Sequence, residues 1–288
     1  MLGREFPTGW RIPLREWTND LVDRLVVALD PILRSVSDGV LGALFAIESA
    51  FLWLPWWFVV LASALLVWHA SGRRWAPPLV TVGALLMVGA FGLWAEAMTT
   101  LALMSVSTLI AVGLGLPLGV ATSRAPGLRA GVRPLLDVMQ TMPSFVYLVP
   151  VVMLFGLGNL AAVFATVIYA LPPVVRLTDL GLRSVDDSLI EAASTAGASE
   201  LQTLWYVRFP LALPTLMAGV NQTIMLALSM VVLASMIGAR GLGQEVLRGL
   251  QRGDVGLSLE AGLAIVLLAV VLDRITAGYA RRWDTATS

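Results

Sequence analysis

The sequence contains no cysteine and no lysine, and it has one histidine, His69. Without cysteine the chain has no disulfide framework, thiolate metal site or cysteine nucleophile. Without lysine it has no phosphate-binding loop of the form G-x-x-x-x-G-K-S/T, so we expect that it does not hydrolyse ATP itself. We interpret His69 as an interfacial residue at the end of a membrane span, and we predict no catalytic residue and no metal site.

Charged residues are also scarce. They make up 13% of the sequence, whereas an ordinary soluble domain has about 25%. The hydrophobic fraction is 58% and the mean hydropathy is +0.83, which indicates an integral membrane protein. The 19 basic residues are all arginines, and they balance 19 acidic residues, so the net charge gives no reason to expect a nucleic-acid partner.

The first fifty residues are predicted to form a tail and an amphipathic helix. Residues 1–20 contain three acidic residues and lack the apolar run of a secretory signal peptide. In residues 21–54 apolar positions recur at helical spacing between charged ones, and Asp30-Pro31 is a helix-opening pair. We expect this stretch to lie along the membrane surface. The alternative is a first span that begins near Val40.

Seven apolar segments follow, each near the 20-residue length of a membrane-spanning helix. They predict an all-α, polytopic membrane bundle with the spans Phe51–Trp68, Pro77–Ala95, Ala97–Thr122, Pro134–Gly156, Leu160–Val175, Leu211–Ile237 and Leu259–Tyr279. We divide the chain into an N-terminal segment (1–50), two peripheral transmembrane helices (51–96), a five-helix core (97–280) and a C-terminal cytoplasmic tail (281–288).

The distribution of arginines predicts the orientation. Most of them fall in alternate loops and in the tail, which the positive-inside rule places in the cytoplasm. These are Arg73, Arg74, Arg124, Arg129, Arg133, Arg176, Arg183, Arg208, Arg281 and Arg282. Arg240, Arg248 and Arg252 break the pattern. We therefore expect a multi-pass protein of a bacterial inner membrane, with its N-terminus outside and its C-terminus in the cytoplasm.

One polar stretch, residues 177–210, separates two of the apolar segments. Ser188 precedes Glu191 by three residues and Ser199 precedes Gln202 by three, and each pair predicts a capping box at the start of a helix. Gly197 lies between the two predicted helices and permits the left-handed conformation that ends the first. The pattern predicts one helix from Leu189 to Ala196 and a second from Glu200 to about Arg208, closed by Pro210.

These two helices are predicted to dock a partner protein. The first presents the small residues Ala192 and Ala193 beside Leu189 and Ile190, and the second places three apolar residues on one face at helical spacing. Those three are Leu201, Leu204 and Trp205.

The same stretch resembles a known motif. Glu191-Ala192-Ala193, Gly197 and Val207-x-Phe209-Pro210 have the spacing of the E-A-A-x3-G-x9-I-x-L-P loop of ABC importer permeases. Val207 and Phe209 replace the usual isoleucine and leucine. Three further segments resemble permeases of glycine betaine/proline betaine (osmoprotectant) ABC transporters, and the likeness runs from about Leu61 to Tyr279. Those segments are Leu135–Gly156, Ala170–Leu177 and Pro214–Ile237.

The resemblance implies a type I ABC importer permease fold and an assembly. Two copies of the permease would form the pathway, and each would bind a cytoplasmic ATPase that holds ATP and Mg. A substrate-binding protein outside would deliver compatible solutes such as glycine betaine, proline betaine, choline or proline. The residues that contact the ATPase would be Glu191, Ala192, Ala193, Gly197, Val207 and Pro210. An ion-coupled secondary transporter and an osmotically gated channel for small zwitterions are the alternatives, and neither needs an ATPase.

A substrate pathway is predicted from polar and aromatic residues near the middle of the spans. At 1.5 Å of rise per residue, the membrane midplane lies about ten residues into a span. The candidates at that depth are Gln140, Ser144, Phe145, Tyr147, Tyr169, Asn221 and Gln222. We place no ionisable residue at this depth, which suits a net-neutral solute whose quaternary ammonium binds aromatic faces.

A glycine-rich loop follows the sixth span. Gly238, Gly241 and Gly243 are predicted to let the chain leave the span and begin a short helix, Gln244 to Leu250, that caps the pathway on the outer side. By resemblance to the family, this loop faces the binding protein.

Overall fold

The computed structural model describes residues 13–287, so the first twelve residues of the predicted tail lie outside it. Every regular element in this range is helical. The helices are α1 (Leu14–Trp53), α2 (Trp56–Ala70), α3 (Ala76–Ala90), α4 (Trp94–Arg124), α5 (Pro126–Thr141), α6 (Leu148–Phe155), α7 (Asn159–Arg183), α8 (Asp187–Thr195), α9 (Glu200–Thr203), α10 (Phe209–Ser235), α11 (Leu242–Arg252) and α12 (Val255–Thr287). A 3₁₀ turn, Ser144–Tyr147, precedes α6, and a π-helical segment, Leu204–Arg208, joins α9 to α10.

By length and composition, five stretches within residues 13–287 qualify as membrane spans. They are Asp30–Trp53, Trp94–Arg124, Asn159–Arg183, Glu200–Ser235 and Val255–Tyr279. The predicted fourth span is broken, because the axes of α5 and of the segment Ser144–Phe155 meet at 112° around Pro143. Helices α2 and α3 are apolar but have only 15 residues each. The all-α polytopic bundle is thus as predicted, with irregular segments in place of some uniform spans.

The N-terminal helix α1 differs from the expected interfacial helix. Its stretch Asp30–Trp53 is long and apolar enough to cross a membrane, and it packs on α4, α6 and α7. Leu44 is buried in this contact, and the Thr99 hydroxyl donates a 2.8 Å hydrogen bond to Glu48. These features favour the alternative, a span in this region. Because Trp56, just beyond α1, lies in one pocket with Trp94, α1 runs towards the end of the bundle where α4 begins.

The centre of the bundle is formed by α4, α7 and α10, which pack closely along their lengths. Small residues make this approach possible. A Cβ at Gly119 of α4 would lie 2.5 Å from the Thr178 Cβ and 2.8 Å from the Val175 carbonyl oxygen of α7. A Cβ at Gly219 of α10 would lie 3.0 Å from the Leu177 Cβ. Small residues at helix crossings are typical of membrane bundles, where van der Waals packing drives association.

Helix α12 completes the bundle against α10, α11, α2 and α3. Ala261, Ala264 and Leu268 of this helix are fully buried. The backbone remains helical to Thr287, so residues 281–287, predicted as a tail, continue α12.

Candidate functional site

The first helix of the polar stretch, α8, begins at Asp187, two residues before the predicted start at Leu189. Asp186 is the N-cap residue, and its carboxylate accepts a 2.8 Å hydrogen bond from the backbone N–H of Ser188. The predicted capping box of Ser188 with Glu191 does not form, because Ser188 already lies inside the first turn. The hydrogen bond from Ser188 lowers the pKa of Asp186, so the ionised carboxylate is the form that caps α8.

The end of α8 has the geometry expected around Gly197. Gly197 has φ +84°, its N–H donates to the Ser194 carbonyl, and the N–H of Ala198 donates to the Ala193 carbonyl, both at 3.0 Å. This pair of bonds is a Schellman motif, which satisfies the last carbonyls of a helix. A Cβ at Gly197 would meet no atom within 4 Å, so the requirement for glycine comes from the positive φ and not from crowding.

The second helix starts at Ser199 with the predicted capping box. The Ser199 N–H donates to the Gln202 side chain at 2.8 Å, and the Gln202 N–H donates to the Ser199 hydroxyl at 3.3 Å. The predicted stop at Pro210 is wrong: the helix continues from Glu200 to Ser235 through the π-helical segment Leu204–Arg208. A π-turn widens the helix where Pro210 lacks an N–H, so the chain passes the proline without ending. The second helix of the polar stretch is therefore continuous with α10.

Together, α8 and α9 with the π-helical segment form the exposed element that we call the coupling element, residues 187–208. Glu191 and Ala192 are exposed on α8, and Leu201 and Trp205 are 58% and 55% exposed. Leu204 was predicted on the same docking face but is 6% exposed, packed with Leu182 and Leu216 in the bundle. Tyr206, which the spacing analysis missed, is 79% exposed.

A polar cleft of about 370 Å³ separates the coupling element from the end of α4. Arg124, the last residue of α4, reaches across it and donates to the Glu200 carbonyl at 3.5 Å. Ser194, Thr203 and Arg208 also line the cleft. The coupling element is thus held to the bundle mainly through α10, with a polar gap on its other side.

The structure brings two of the seven predicted pathway residues together. The rings of Tyr147 and Tyr169 lie 6.0 Å apart, and the Tyr147 hydroxyl donates to the Met139 carbonyl. Gln140, Phe145 and Gln222 lie instead on the surface of the chain. Ser144 and Asn221 are half-buried.

Asn221 faces a neighbour that the sequence analysis missed. Its amide donates to the Asp273 carboxylate of α12 at 3.4 Å, and the Thr276 hydroxyl donates to its carbonyl oxygen. Since Asn221 is near the middle of α10, an ionisable group does lie at that level, and the expectation of none was wrong. The depth estimate considered other spans and did not include Asp273 of α12.

The glycine-rich loop ties three helices together at the other end of the bundle. The Gly158 N–H donates to the Ile237 carbonyl at 2.8 Å, and the Leu242 N–H donates to the Thr100 hydroxyl at 2.9 Å. Gly238 and Gly241 have positive φ values of 91° and 115°. Gly243 lies in the first turn of α11, which is two residues longer at each end than predicted.

The chain is a multi-pass helical bundle in which the short capped helix α8 lies between two candidate membrane spans. The chain belongs to the family of binding-protein-dependent transport system inner membrane components, whose model matches residues 111–285. It is therefore an inner-membrane permease subunit, as the resemblance of the EAA-like segment implied.

Two curated relatives and one solved structure agree with this assignment. The chain is 47% identical over 270 residues to the glycine betaine/proline betaine transport system permease protein ProW of Escherichia coli (strain K12), covering 94% of this chain and 76% of that protein. It is 41% identical over 277 residues to the glycine betaine/carnitine transport permease protein GbuB of Listeria monocytogenes serotype 1/2a (strain 10403S), covering 94% and 96%. An inward-facing structure of the MetNI methionine ABC transporter matches 66% of this chain and 93% of its own with a TM-score of 0.55 and 26% identity.

Proposed function

We propose that this permease imports compatible solutes such as glycine betaine and proline betaine, driven by a separate cytoplasmic ATPase that binds ATP and Mg. The names of its relatives support the substrate class. The observation that carries the coupling role is the continuity of the coupling element with α10, from Glu200 to Ser235. A movement imposed on the exposed helices is transmitted directly to a core helix.

The geometry of the coupling element supports the roles assigned by resemblance. Glu191 and Ala192 are exposed on α8, and Gly197 fixes the turn that sets α8 against α9. Val207 and Pro210 lie at the junction with α10, where the π-turn begins a stiff span. We propose that ATPase closure displaces α8 and α9 and rocks α10 with its close partner α7.

We propose a homodimer with the pathway between its two copies. Gln140, Phe145 and Gln222 are polar or aromatic, and they are exposed on the surface of a single chain. A second copy would cover these residues and complete a cavity around them. The tyrosine pair Tyr147 and Tyr169 would offer aromatic faces to a quaternary ammonium.

We propose that the coupling element and the C-terminal end of α12 lie in the cytoplasm. The glycine-rich loop and α11 then lie outside, where they would form a gate that meets the binding protein. The N-terminus was expected outside from the arginine pattern of the loops, with residues 21–54 not counted as a span. The direction of α1 instead supports a start of α1 on the cytoplasmic side.

We also propose that a domain boundary near residue 97 separates α1–α3 from the importer core.

The proposal is tested by uptake of labelled glycine betaine in a bacterium that expresses the permease with the ATPase and binding protein encoded beside it. Uptake should require all three proteins and should compete with unlabelled proline betaine. Competition by unlabelled choline and proline then shows how broad the substrate range is. Uptake that is independent of the binding protein, or that follows an ion gradient after ATP depletion, would support a secondary transporter or channel instead.

A further inference from the structure

A basic cavity of about 290 Å³ lies between α5 and α7, at the end of the bundle that carries the coupling element. Four arginines surround it, two from each helix. They are Arg129, Arg133, Arg176 and Arg183. Its walls also include Leu136 and Val175, so the arginines converge on a partly apolar recess in the bundle.

The carboxylates nearby do not balance these arginines. Asp179 pairs with Arg183 at 3.1 Å and lies 3.7 Å from Arg129, and Asp137 pairs with Arg176. Two carboxylates against four guanidinium groups leave a local excess of two positive charges. Arg133 makes no ion pair among the described residues, and the Nε of Arg176 is buried without a hydrogen-bond partner. The Oδ1 of Asp179 is also buried without a donor, so these two unpaired atoms offset each other. The excess of guanidinium groups around the cavity is what favours an anion there.

The shape of α5 places this cavity at the membrane surface. The helix is bent 112° from the segment that follows it, so it does not continue that segment across the bilayer. Leu128, Leu135 and Val138 are exposed on one face, and the positions of Arg129 and Arg133 fall on the opposite face. An amphipathic helix of this kind lies at the level of the lipid headgroups, with its apolar face towards the acyl chains.

We propose that the cavity binds the phosphate group of an anionic lipid headgroup from the cytoplasmic leaflet, which rests on the proposed cytoplasmic side of the coupling element. Arginine forks hold phosphate oxygens through paired, charge-assisted hydrogen bonds. Anionic lipids are concentrated at the cytoplasmic surface, and basic pockets between membrane helices on that side suit their headgroups. A bound headgroup links α5 to α7 just before the chain enters α8.

The test is native mass spectrometry of the purified full-length permease with added phosphatidylglycerol or phosphatidylcholine. Arg133→Gln is the first variant, since Arg133 is exposed and pairs with no carboxylate, so folding should be unaffected. Retention of phosphatidylglycerol should fall about tenfold in Arg133→Gln, because a hydrogen bond to a charged group is lost. It should fall further with Arg176→Gln added and recover partly with lysine at both positions. The matched control is Arg240→Gln, in the loop at the other end of the bundle.

Three outcomes would overturn the proposal. Equal retention of phosphatidylglycerol by the parent and the double glutamine variant would show that the cavity is not the site. An equal loss in Arg240→Gln would show that the effect is only that of net charge. If millimolar inorganic phosphate binds the cavity while the two lipids are retained equally, the ligand is a free anion and the lipid source is wrong.

Discussion

The side-chain amide of Asn221 in α10 donates a hydrogen bond to the carboxylate of Asp273 in α12 across 3.4 Å. Thr276, one turn further along α12, bonds to the carbonyl oxygen of the same amide. The three side chains join two core helices at a level where ionisable groups are costly unless they are paired. This polar junction therefore stabilises the bundle through Asn221, whose amide bonds to both partners.

The first prediction concerns this junction. Asn221→Ala should lower the stability of the purified permease by about 1–3 kcal/mol, because it leaves the Asp273 carboxylate without its amide donor. Gln251→Ala is the matched control, since Gln251 carries an exposed amide on α11, and it should change stability by less than about 0.5 kcal/mol. Unfolding monitored by tryptophan fluorescence compares the two. Equal effects would show that the contact with Asp273 does not matter.

A second prediction concerns the turn between the coupling helices. Gly197→Ala should destabilise this turn by roughly 1–2 kcal/mol, because an L-residue with a Cβ is strained at φ +84°. Gly197→Asn should be milder, since asparagine adopts this conformation more readily. The measurement is substrate-stimulated ATPase activity of the reconstituted complex, in which Gly197→Ala should reduce coupling more than Gly197→Asn. An alanine variant with parental coupling would contradict the role of the turn.

The third prediction distinguishes the observed cap of α8 from the expected one. Asp186→Ala should speed amide hydrogen exchange in the first turn of α8, because the backbone N–H of Ser188 loses its acceptor. Ser188→Ala should speed exchange less, because its side chain only supports the Asp186 carboxylate and does not itself cap α8. Since the pKa of Asp186 is lowered in the folded state, the cap is complete above the ordinary carboxyl pKa and is lost as pH falls through the lowered value. A larger increase in exchange for Ser188→Ala than for Asp186→Ala would show that Ser188 caps α8 after all.

A fourth prediction tests the docking face. Trp205→Ala and Leu201→Ala remove exposed side chains of the coupling element, so they should weaken capture of the ATPase by a tagged permease without reducing membrane insertion. Losses of about 1 kcal/mol or more each, or at least fivefold in affinity, are expected for side chains that become buried on binding. Trp75→Ala is the control, because Trp75 is 71% exposed elsewhere on the chain. Equal capture by all three variants would place the ATPase contact outside this face.

Local sequence signals predicted the start and end of helices well where one residue decides the geometry. Gly197 is an example, because only glycine adopts positive φ without strain, and Ser199 with Gln202 is another, because the capping box lies within four residues. The failures came from competition between neighbours. Asp186 caps α8 in place of Ser188. Pro210 does not stop the helix, because the π-helical segment before it accommodates the missing N–H.

Tertiary packing set the features that the sequence could not predict. The spacing placed Leu204 on the docking face, but its burial depends on Leu182 and Leu216 from distant parts of the chain. Likewise, the contact of Asp273 with Asn221 depends on the packing of α12 against α10, which the local sequence does not show. The apolar character of residues 40–53 fits a helix on a membrane as well as one across it, and packing on α4 favours the second.

The central claim is that this chain transports only when force arrives from a partner ATPase through residues 187–208. The direct measurement is accumulation of labelled glycine betaine in proteoliposomes that contain the permease, the ATPase and the binding protein, with ATP on the ATPase side. The account predicts accumulation above the outside concentration with the full set and none when the ATPase is left out. It predicts lower accumulation when Gly197→Ala is combined with Trp205→Ala. Accumulation against the gradient by the permease alone would contradict it.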